Sequence, residues 1–381
     1  MPKRTACPSI DINVSALEPL QQIGRSRVRW RGRELLYFSG CDYFRMAEHP
    51  AVLKAAADGL GKFGLNVAAS RITTGHHKIY ELLEEQLAGF FHAEDALLVS
   101  TGYLTGVIVA QALAGNYSHA LLDERAHPAL ADAADHLGCP VLKFKHRDSE
   151  DFARTVGRCG KGARPFVLTD GMFSNNGSVA PLGAYLKFLP RDGVILVDDA
   201  HGAGILGKNG RGTPEHENVS RRQIIQCITL SKALGVYGGA ILGTRRLRER
   251  IFDYSRAFVG STPLPLPLAN AALQSLKILK TDGKKLRQRL DKNSGYAKGA
   301  LRDAGFEIPE LPGPIIPQFT KNPLETAGLR KRLLAAGIFP PFLKYPGGDP
   351  NGYFRFVISS EHSRPQLDTL VNTLRSFSKA Q

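Results

Sequence analysis

The sequence predicts an α/β protein with a large domain, built on a mostly parallel seven-stranded sheet, and a smaller α+β C-terminal domain. Short apolar runs alternate with helical stretches through the middle of the chain, which is the order of a doubly wound sheet. These runs are too uniformly apolar for a sheet with one face in water, so helices should cover both faces. We expect an N-terminal segment over 1–45, the large domain over 46–270 and the small domain over 271–381.

Seven apolar runs supply the strands of this sheet. They are residues 96–99, 120–122, 141–144, 166–168, 194–197, 225–229 and 240–242, and a further short strand is expected over 34–38. Helical periodicity, or a proline in a first helical turn, marks the helices. The first of them begins at Pro50, and the others cover 79–91, 106–113, 128–136, 269–301 and 366–377.

Composition and charge narrow the class of protein. The 381 residues are 43% hydrophobic and 22% charged, an ordinary globular balance. The formal net charge is +15, but the basic residues are scattered and no nucleic-acid recognition module accompanies them. A solvated basic surface is the first interpretation, and attraction for phosphorylated ligands such as coenzyme A (CoA) is the second. No nucleic-acid partner is predicted.

Targeting and cysteine signals favour a cytoplasmic protein outside any membrane. The chain has no apolar run long enough to span a bilayer, and its start lacks the apolar stretch of a signal peptide. The five cysteines are far apart and include no CxxC pair. This pattern argues against a disulfide framework and against a structural zinc site.

Polar residues follow five of the predicted strands. In α/β sheets, ligands bind beyond the carboxyl ends of the strands. The five clusters are Ser100–Gly102, Asp123–Glu124, Asp170–Gly171, Asp198–His201 and Ser231–Lys232. Together they predict one convergent site.

Lys232 is the candidate for covalent chemistry. A lysine is far more often a solvated surface residue than a catalytic amine. Lys232, however, follows an apolar strand directly and has small residues around it, with Gly235 and the pair Gly238–Gly239 close behind. A partly desolvated amine in such a place has a lowered pKa and forms an imine with an aldehyde. This segment alone leaves both interpretations open.

Two adjacent carboxylates, Asp198 and Asp199, follow the strand at 194–197. A metal site, a base and a helix cap are all compatible with the pair. Pyridoxal phosphate (PLP) needs a carboxylate opposite its ring nitrogen. Asp198 is the better placed, because His201 would then reach the phenolate oxygen of the ring. For Asp199, a solvated turn residue is the fair interpretation.

Two other patterns predict no site. Gly202–Gly207 matches G-x-G-x-x-G, but four residues separate it from its strand and later glycines disrupt any following helix. No acid follows at the distance that a ribose contact requires, so we reject a dinucleotide site. His76 and His77 are adjacent rather than four residues apart, and no metal site is expected.

Phosphate binding needs backbone N–H groups at a helix N-terminus together with hydroxyl groups. Ser100 and the segment Thr101–Tyr103, which lead into the helix at 106–113, supply both. From this segment alone, a strand-to-helix turn capped by Thr101 is the favoured interpretation. His127 is suited to stacking on a planar ring, although a capping or surface role is more common for a lone histidine.

Taken together, these residues resemble the α-oxoamine synthases, a family of PLP-dependent fold type I enzymes. The likeness runs from about Tyr43 to Leu374 and is specific because its pieces keep the family's order and spacing. The pieces are Ala69–Gly75, Leu82–Leu87, Thr101–Tyr103, Asp170–Ser174, Ala180–Leu182, Asp198–His201, Gly210–Gly212, Thr229–Gly235, Ser261–Pro263 and Phe354–Phe356.

The resemblance implies a catalytic role for four residues. Lys232 matches the lysine that holds PLP as a Schiff base and later removes the α-proton of the substrate. Asp198 matches the partner of the pyridine nitrogen, and His127 matches the histidine stacked on the ring. His201 matches a group near the phenolic oxygen.

The remaining matches concern binding. Ser174 matches a second group near the phenolic oxygen, and Thr262 matches a hydroxyl contributed across a dimer interface. Arg355 matches the arginine that clamps the amino-acid carboxylate, a bidentate task for which lysine is a poor substitute. The residues that match the phosphate cradle are Thr101, Gly102, Tyr103 and Thr229.

The activity that the resemblance implies is condensation of an amino acid with an acyl-CoA, releasing an α-aminoketone, CO2 and CoA. The chain is closest in character to 8-amino-7-oxononanoate synthase, an enzyme of biotin biosynthesis. Glycine C-acetyltransferase and serine palmitoyltransferase-like activities are the alternatives within the family. An aminotransferase without an acyl-CoA step is a second class, and a non-enzymatic basic binding module is a third. The family also implies a homodimer.

The chain departs from the common family pattern near the substrates. Asp42–Arg45 stands where many members carry Asn-Tyr-Leu-Gly, and Ala126–Ala129 where Asn-His-Ala-Ser is frequent. Asn175–Asn176 replaces Met-Asp, and the loop at 345–348 is short. These changes spare the expected PLP contacts and bear on the acyl chain and the amino acid.

Overall fold

A computed structural model of the chain describes residues 18–344 and 351–378. These residues form two compact units. The large unit comprises Cys41–Asp291 and Leu311–Gly313, and the small unit comprises the described residues up to Gly40, Lys292–Glu310 and the described residues from Pro314 onwards. The predicted boundaries at residues 45 and 270 remain a prediction. Cys7 and the short loop at 345–348 lie outside the described residues.

The small unit begins with an antiparallel three-stranded sheet. Its strands are β1 (Gln21–Gln22), β2 (Arg27–Trp30) and β3 (Arg33–Leu36). The prediction of a strand over 34–38 is therefore confirmed in kind and displaced slightly towards the N-terminus. Leu36 also forms an isolated parallel bridge with Ile338, which ties this segment into the small unit.

The large unit contains the seven predicted strands and no others in its sheet. They are β4 (Asp95–Val99), β5 (His119–Asp123), β6 (Val141–Phe144), β7 (Pro165–Asp170), β8 (Val194–Asp198), β9 (Ile224–Thr229) and β10 (Gly239–Gly243). The order across the sheet is β4-β10-β9-β8-β7-β5-β6. All neighbours are parallel except β10, which runs antiparallel to β4 and β9. The mostly parallel doubly wound sheet is thus confirmed.

Helices enclose this sheet. They are α1 (Pro50–Phe63), α2 (Lys78–Phe91), α3 (Leu104–Ala112), α4 (Pro128–Asp135), α5 (Ser149–Arg158), α6 (Leu182–Phe188), α7 (Thr213–His216), α8 (Arg245–Tyr254), α9 (Arg256–Val259) and α10 (Leu266–Thr281). Successive residues of β8 enter different apolar clusters, Leu196 one and Ile195 and Val197 the other, so both faces of the sheet are covered. Strand β6 is the exception, because it is an edge strand and Val141 is exposed.

The predicted helical stretch over 269–301 divides into two helices. Helix α10 ends at Thr281, and α11 (Gly283–Arg302) begins two residues later. Asp282, the C-cap of α10, separates them. The Asp282–Gly283 pair at this junction is a turn signal that the prediction of one continuous helical stretch overlooked.

The rest of the small unit is a second antiparallel sheet with two further helices and the C-terminal part of α11. The elements are β11 (Ile315–Phe319), α12 (Pro323–Ala335), β12 (Phe342–Leu343), β13 (Tyr353–Val357) and α13 (Arg364–Ser378), and the strand order is β11-β13-β12. An apolar cluster that includes Phe38, Phe354 and Leu370 forms the core of this unit. Within the described ranges, no helix is both long and apolar enough to cross a membrane.

Candidate active site

The carboxyl ends of the central strands bring together polar groups from distant parts of the sequence. Asp170 ends β7 and Asp198 ends β8, and the two residues are register partners on adjacent parallel strands. Asp198 is likewise paired with Cys227 of β9, two residues before Thr229 ends that strand. Parallel pairing therefore brings the two acids and the segment that leads to Lys232 together at the carboxyl ends of these strands.

Lys232 lies in a closed loop that connects β9 to β10. Backbone hydrogen bonds join Leu230 N–H to the Gly238 carbonyl at 2.9 Å and Gly235 N–H to the Lys232 carbonyl at 2.9 Å. Gly235 has a φ of +64°, and a Cβ there would lie 2.3 Å from the Ala47 nitrogen. The glycine is thus required by both conformation and packing. The Lys232 side chain itself is half-buried.

Lys232, Asp198, His127 and Asp170 lie close enough for their charges to act on one another. The pKa of His127 is lowered, first by burial and then by the Lys232 charge, while Asp198 opposes the change. The pKa of Asp170 is raised well above its usual range by burial and by repulsion from Asp198. The structure therefore brings together three of the predicted catalytic residues and adds a fourth group to them, the carboxyl of Asp170.

His127 combines the capping role with a fixed ring orientation. It is the N-cap of α4, and its Nδ1 accepts a hydrogen bond from the Ala129 N–H at 3.2 Å. Its own backbone N–H donates to Asp170 Oδ2 at 2.8 Å. The Tyr103 ring meets the His127 ring edge-on at a centroid distance of 6.1 Å. A capping bond at Nδ1 places the proton of the neutral imidazole on Nε2.

His201 is anchored from a remote part of the large unit. It is 6% exposed, and its Nδ1 forms a hydrogen bond of 2.6 Å with the Tyr43 hydroxyl, 158 residues away in the sequence. With Tyr43 as the donor, the neutral ring of His201 carries its proton on Nε2. The Tyr43 contact was not predicted, because sequence spacing gives no sign of it.

The predicted phosphate segment leads into the N-terminus of α3. Helix α3 begins at Leu104, with Tyr103 as an N-cap that makes no side-chain capping bond, so the interpretation of Thr101 as the cap is wrong. A Cβ on Gly102 would lie 2.8 Å from the Thr229 Cβ, and a Cβ on Gly239 would lie 2.8 Å from the Gly102 Cα. The positive end of the α3 dipole is thus at the turn that contains Gly102, and the backbone of this turn packs directly against β9 and β10.

Three further predicted site residues lie in different parts of the chain. Ser174 is half-buried in the loop that follows β7, and Thr262 is exposed between α9 and α10. Arg355 is a half-buried residue at the centre of β13 in the small unit. Their roles remain predictions.

The rejected dinucleotide motif opens no helix. Gly204 and Gly207 both adopt a φ of +84°, and residues 201–210 form a series of turns. The first helical residues after the motif are those of the four-residue α7.

Asp199 is not the solvated turn residue that we expected. It is 0% exposed, and its carboxylate accepts hydrogen bonds from Thr213 and Gln226. Burial raises its pKa to about 7, against the lowering effect of these donors. Asp199 does lie in a turn, as expected, but the segment around Thr213 covers its side chain. A contact between segments this far apart leaves no signal in the local sequence.

Replacing Asp199 by asparagine should stabilise the protein more at pH 8 than at pH 5. Between the ordinary aspartate pKa and about 7, the folded protein holds a proton that the unfolded chain has lost, so its stability falls as the pH rises. Asparagine removes that loss, which amounts to about 1.4 kcal/mol per unit of pKa difference. Melting temperatures of both proteins between pH 4 and pH 9 measure the effect. A gap that does not widen with pH would contradict the buried ionisation.

Comparison with known proteins identifies the family. A family model for aminotransferase class I and II matches residues 36–374. An 8-amino-7-oxononanoate synthase from Thioalkalivibrio sulfidiphilus is 33% identical over 347 residues, which cover 90% of this chain and 88% of that protein.

Solved structures agree with the sequence match. The serine palmitoyltransferase (SPT) of Sphingomonas wittichii superposes with a TM-score of 0.89 at 27% identity, covering 94% of this chain and 91% of the other. An SPT structure with PLP as an internal aldimine gives a TM-score of 0.88 at 26% identity, with the same coverage. The chain belongs to the aminotransferase class I and II family and, within it, to the α-oxoamine synthases.

Proposed function

We propose that this protein is a PLP-dependent acyltransferase that condenses an amino acid with an acyl-CoA and releases an α-aminoketone, CO2 and CoA. The observation that carries the proposal is the grouping of Lys232, Asp198 and His127 at the carboxyl ends of the central strands. A synthase of this class, 33% identical over most of both chains, supports the same reaction.

The described residues fit a phosphorylated pyridine aldehyde. Gly102 packs against the Thr229 side chain and the Gly239 backbone, so a Cβ on Gly102 or Gly239 would collide. The α3 N-terminus faces this place, and an anionic phosphate is favoured there by the helix dipole. Half-buried Asp198 supplies a carboxylate, and half-buried Lys232 supplies an amine. A helix N-terminus for the phosphate, a carboxylate and an amine are the three groups that this cofactor needs from a protein.

When bound, PLP supplies an aldehyde for an amine and a pyridine ring that accepts electrons from an adjacent carbon. Asp198 would keep the ring nitrogen protonated. Its Oδ1 accepts the Ala200 N–H at 3.1 Å, which fixes the direction of the carboxylate. The negative charge of Asp198 would stabilise the positive charge of that protonated nitrogen.

Lys232 would first hold the cofactor and then accept the α-proton of the substrate at Nζ. Both tasks need an amine that can lose its proton. His127 would cover one face of the ring, with its orientation set by the bonds at Nδ1 and at its backbone N–H. His201, held by Tyr43, would donate a hydrogen bond from Nε2 to the phenolic oxygen of the cofactor. Ser174 would lie near the same oxygen.

Assignments away from the ring are also part of the proposal. Arg355 would bind the amino-acid carboxylate. In a homodimer, Thr262 would reach the phosphate of the cofactor bound to the partner subunit. The large unit exposes apolar side chains suited to such an interface. They are Leu53 and Leu60 of α1, Leu82 of α2 and Ile72 in the segment before α2, and each is at least 44% exposed. The cytoplasmic location expected from the cysteine pattern remains a prediction.

The acyl group and the amino acid decide between members of the family. We propose that the activity is closest to that of an 8-amino-7-oxononanoate synthase, with glycine C-acetyltransferase and SPT-like activities as the alternatives. The likeness to SPT structures at 25–27% identity keeps the third open. By the resemblance, the departures at Asp42–Arg45 and Asn175–Asn176 lie near the substrates and bear on the choice between these activities.

CoA release should occur with one amino acid and one class of acyl-CoA. We expect alanine with pimeloyl-CoA to give the highest rate in a matrix of glycine, alanine and serine against acetyl-, pimeloyl- and palmitoyl-CoA. A thiol reagent measures the CoA, and mass spectrometry identifies the aminoketone. No CoA release with any pair, accompanied by pyridoxamine phosphate formation, would replace this proposal with an aminotransferase.

A further inference from the structure

Asp199 is a buried carboxylate to which the proposed chemistry gives no task. Its Oδ2 accepts hydrogen bonds from the Thr213 N–H at 2.8 Å and the Gln226 side-chain N–H at 2.5 Å. Its Oδ1 accepts the Thr213 hydroxyl at 2.7 Å. Gln226 is also 0% exposed, and its Oε1 accepts a hydrogen bond from Arg221 at 2.6 Å. Every donor to Asp199 is therefore uncharged, and the guanidinium of Arg221 lies one side chain further away.

Three glycines from three segments close around this carboxylate. A Cβ on Gly171 would lie 2.4 Å from an Asp199 oxygen, one on Gly202 2.1 Å, and one on Gly212 1.9 Å. Of the three, only Gly212 has a positive φ, of +88°, so backbone conformation does not account for the other two. Close approach to Asp199 and its hydrogen-bond partner Thr213 excludes a side chain at Gly171 and Gly202.

This arrangement is unfavourable for stability when considered alone. A carboxylate that is taken out of water without a paired cation costs free energy, and a neutral side chain of the same shape avoids that cost. Burial accordingly raises the pKa of Asp199 to about 7. Groups that cost stability in this way tend to lie at functional sites, so the position of Asp199 beside Asp198 is informative.

Asp199 connects the turn that carries Asp198 and His201 to two neighbouring segments, strand β9 and the segment around Thr213. Its N–H donates to the Cys227 carbonyl of β9 at 2.8 Å, and its carbonyl accepts the Ala203 N–H at 2.9 Å. Its side chain adds the bonds to Thr213 and Gln226. The turn is thus held on both sides of Asp198, since the Asp198 carbonyl also accepts the Gly171 N–H at 2.7 Å.

We infer that Asp199 is a positioning residue whose side-chain hydrogen bonds hold the 198–203 turn, so that Asp198 and His201 face the cofactor ring. The inference rests on the proposed PLP function. Asp199 touches neither cofactor nor substrate and acts through its two neighbours.

The test is titration of the full-length apoprotein with PLP, followed by absorbance, for the parent and three variants. Asp199→Ala removes all the side-chain hydrogen bonds. Asp199→Asn retains them, because its oxygen can replace Oδ2 and its amide can donate to the Thr213 hydroxyl oxygen. Asp192→Asn is the matched control, since Asp192 is an exposed aspartate at the opposite end of the same strand. Thermal melting establishes that each protein is folded.

We expect Asp199→Ala to weaken PLP binding by roughly tenfold or more, and Asp199→Asn by less than about threefold. The control should bind like the parent. Parental affinity in Asp199→Ala would overturn the inference, and so would an equal loss in the alanine and asparagine variants. If the parent itself bound no PLP, the proposed function would fail instead, which keeps the two failures distinct.

Thr213→Val covers the case in which Asp199→Ala does not fold. It removes one hydroxyl donor to Asp199 and keeps the shape of the side chain and the backbone donor. We expect it to weaken PLP binding by about fivefold. Unchanged affinity in a folded Thr213→Val protein would also contradict a positioning role for these hydrogen bonds.

Discussion

Replacement of Lys232 by alanine should lower the rate of CoA release by at least ~1,000-fold. The proposed reaction needs Lys232 Nζ twice, once to hold the cofactor and once to accept the α-proton. The fold should persist, because the side chain is half-buried and backbone hydrogen bonds such as Leu230 to Gly238 close the loop around it. Initial rates with the best substrate pair and melting temperatures measure both effects.

A matched control separates the loss of this amine from the loss of any positive charge. Lys187 is exposed on α6 of the same unit, so Lys187→Ala should keep the parental rate. A folded Lys232→Ala protein with a rate within tenfold of the parent would remove Lys232 from the mechanism.

Replacement of Asp198 by asparagine should lower the same rate by about 100-fold or more. Asparagine keeps the size of the side chain and an oxygen that can accept the Ala200 N–H, but it has no negative charge to keep a ring nitrogen protonated. The electron-accepting power of the ring would fall, while the fold and the binding of the phosphate group should be little changed.

The expected pattern for Asp198→Asn is therefore a lower kcat with PLP still bound. Asp192→Asn, which alters an exposed acid before the same strand, should behave like the parent in both measurements. A parental kcat in Asp198→Asn would show that the charge opposite the ring nitrogen lies elsewhere.

The central sheet could be predicted because buried parallel strands leave a clear pattern. Strands β7 and β9 are buried at every position, and their sequences are short apolar runs between turn signals. The same reasoning located the polar residues at the strand ends, among them Asp198 and Lys232. These are properties of adjacent residues, which is the range over which a single sequence is informative.

Contacts between distant segments could not be predicted. The bond between Tyr43 and His201 joins residues 158 positions apart, and the burial of Asp199 depends on Thr213 and Gln226 in two later segments. Asp170 was noted as a polar strand end and as part of the family resemblance but was given no role, although its carboxylate accepts the His127 N–H. A strand-end acid one strand away from a candidate site is the signal that could have marked it.

Antiparallel insertion of β10 was also beyond the sequence pattern. Its five residues, Gly239–Gly243, are as apolar as those of the parallel strands of the same sheet, and the direction of a strand is set by the loop that precedes it. That loop is the one that carries Lys232. Its tight closure through Gly235 and Gly238 returns the chain beside β9 instead of through a helical crossover.

Reduction of the PLP-loaded protein with borohydride, followed by proteolysis and mass spectrometry, tests the central claim most directly. The account predicts that the added cofactor mass is found on the peptide that contains Lys232 and that it is absent from the Lys232→Ala protein. Cofactor mass on a different lysine of the parent, or retained covalently by the Lys232→Ala protein, would contradict it.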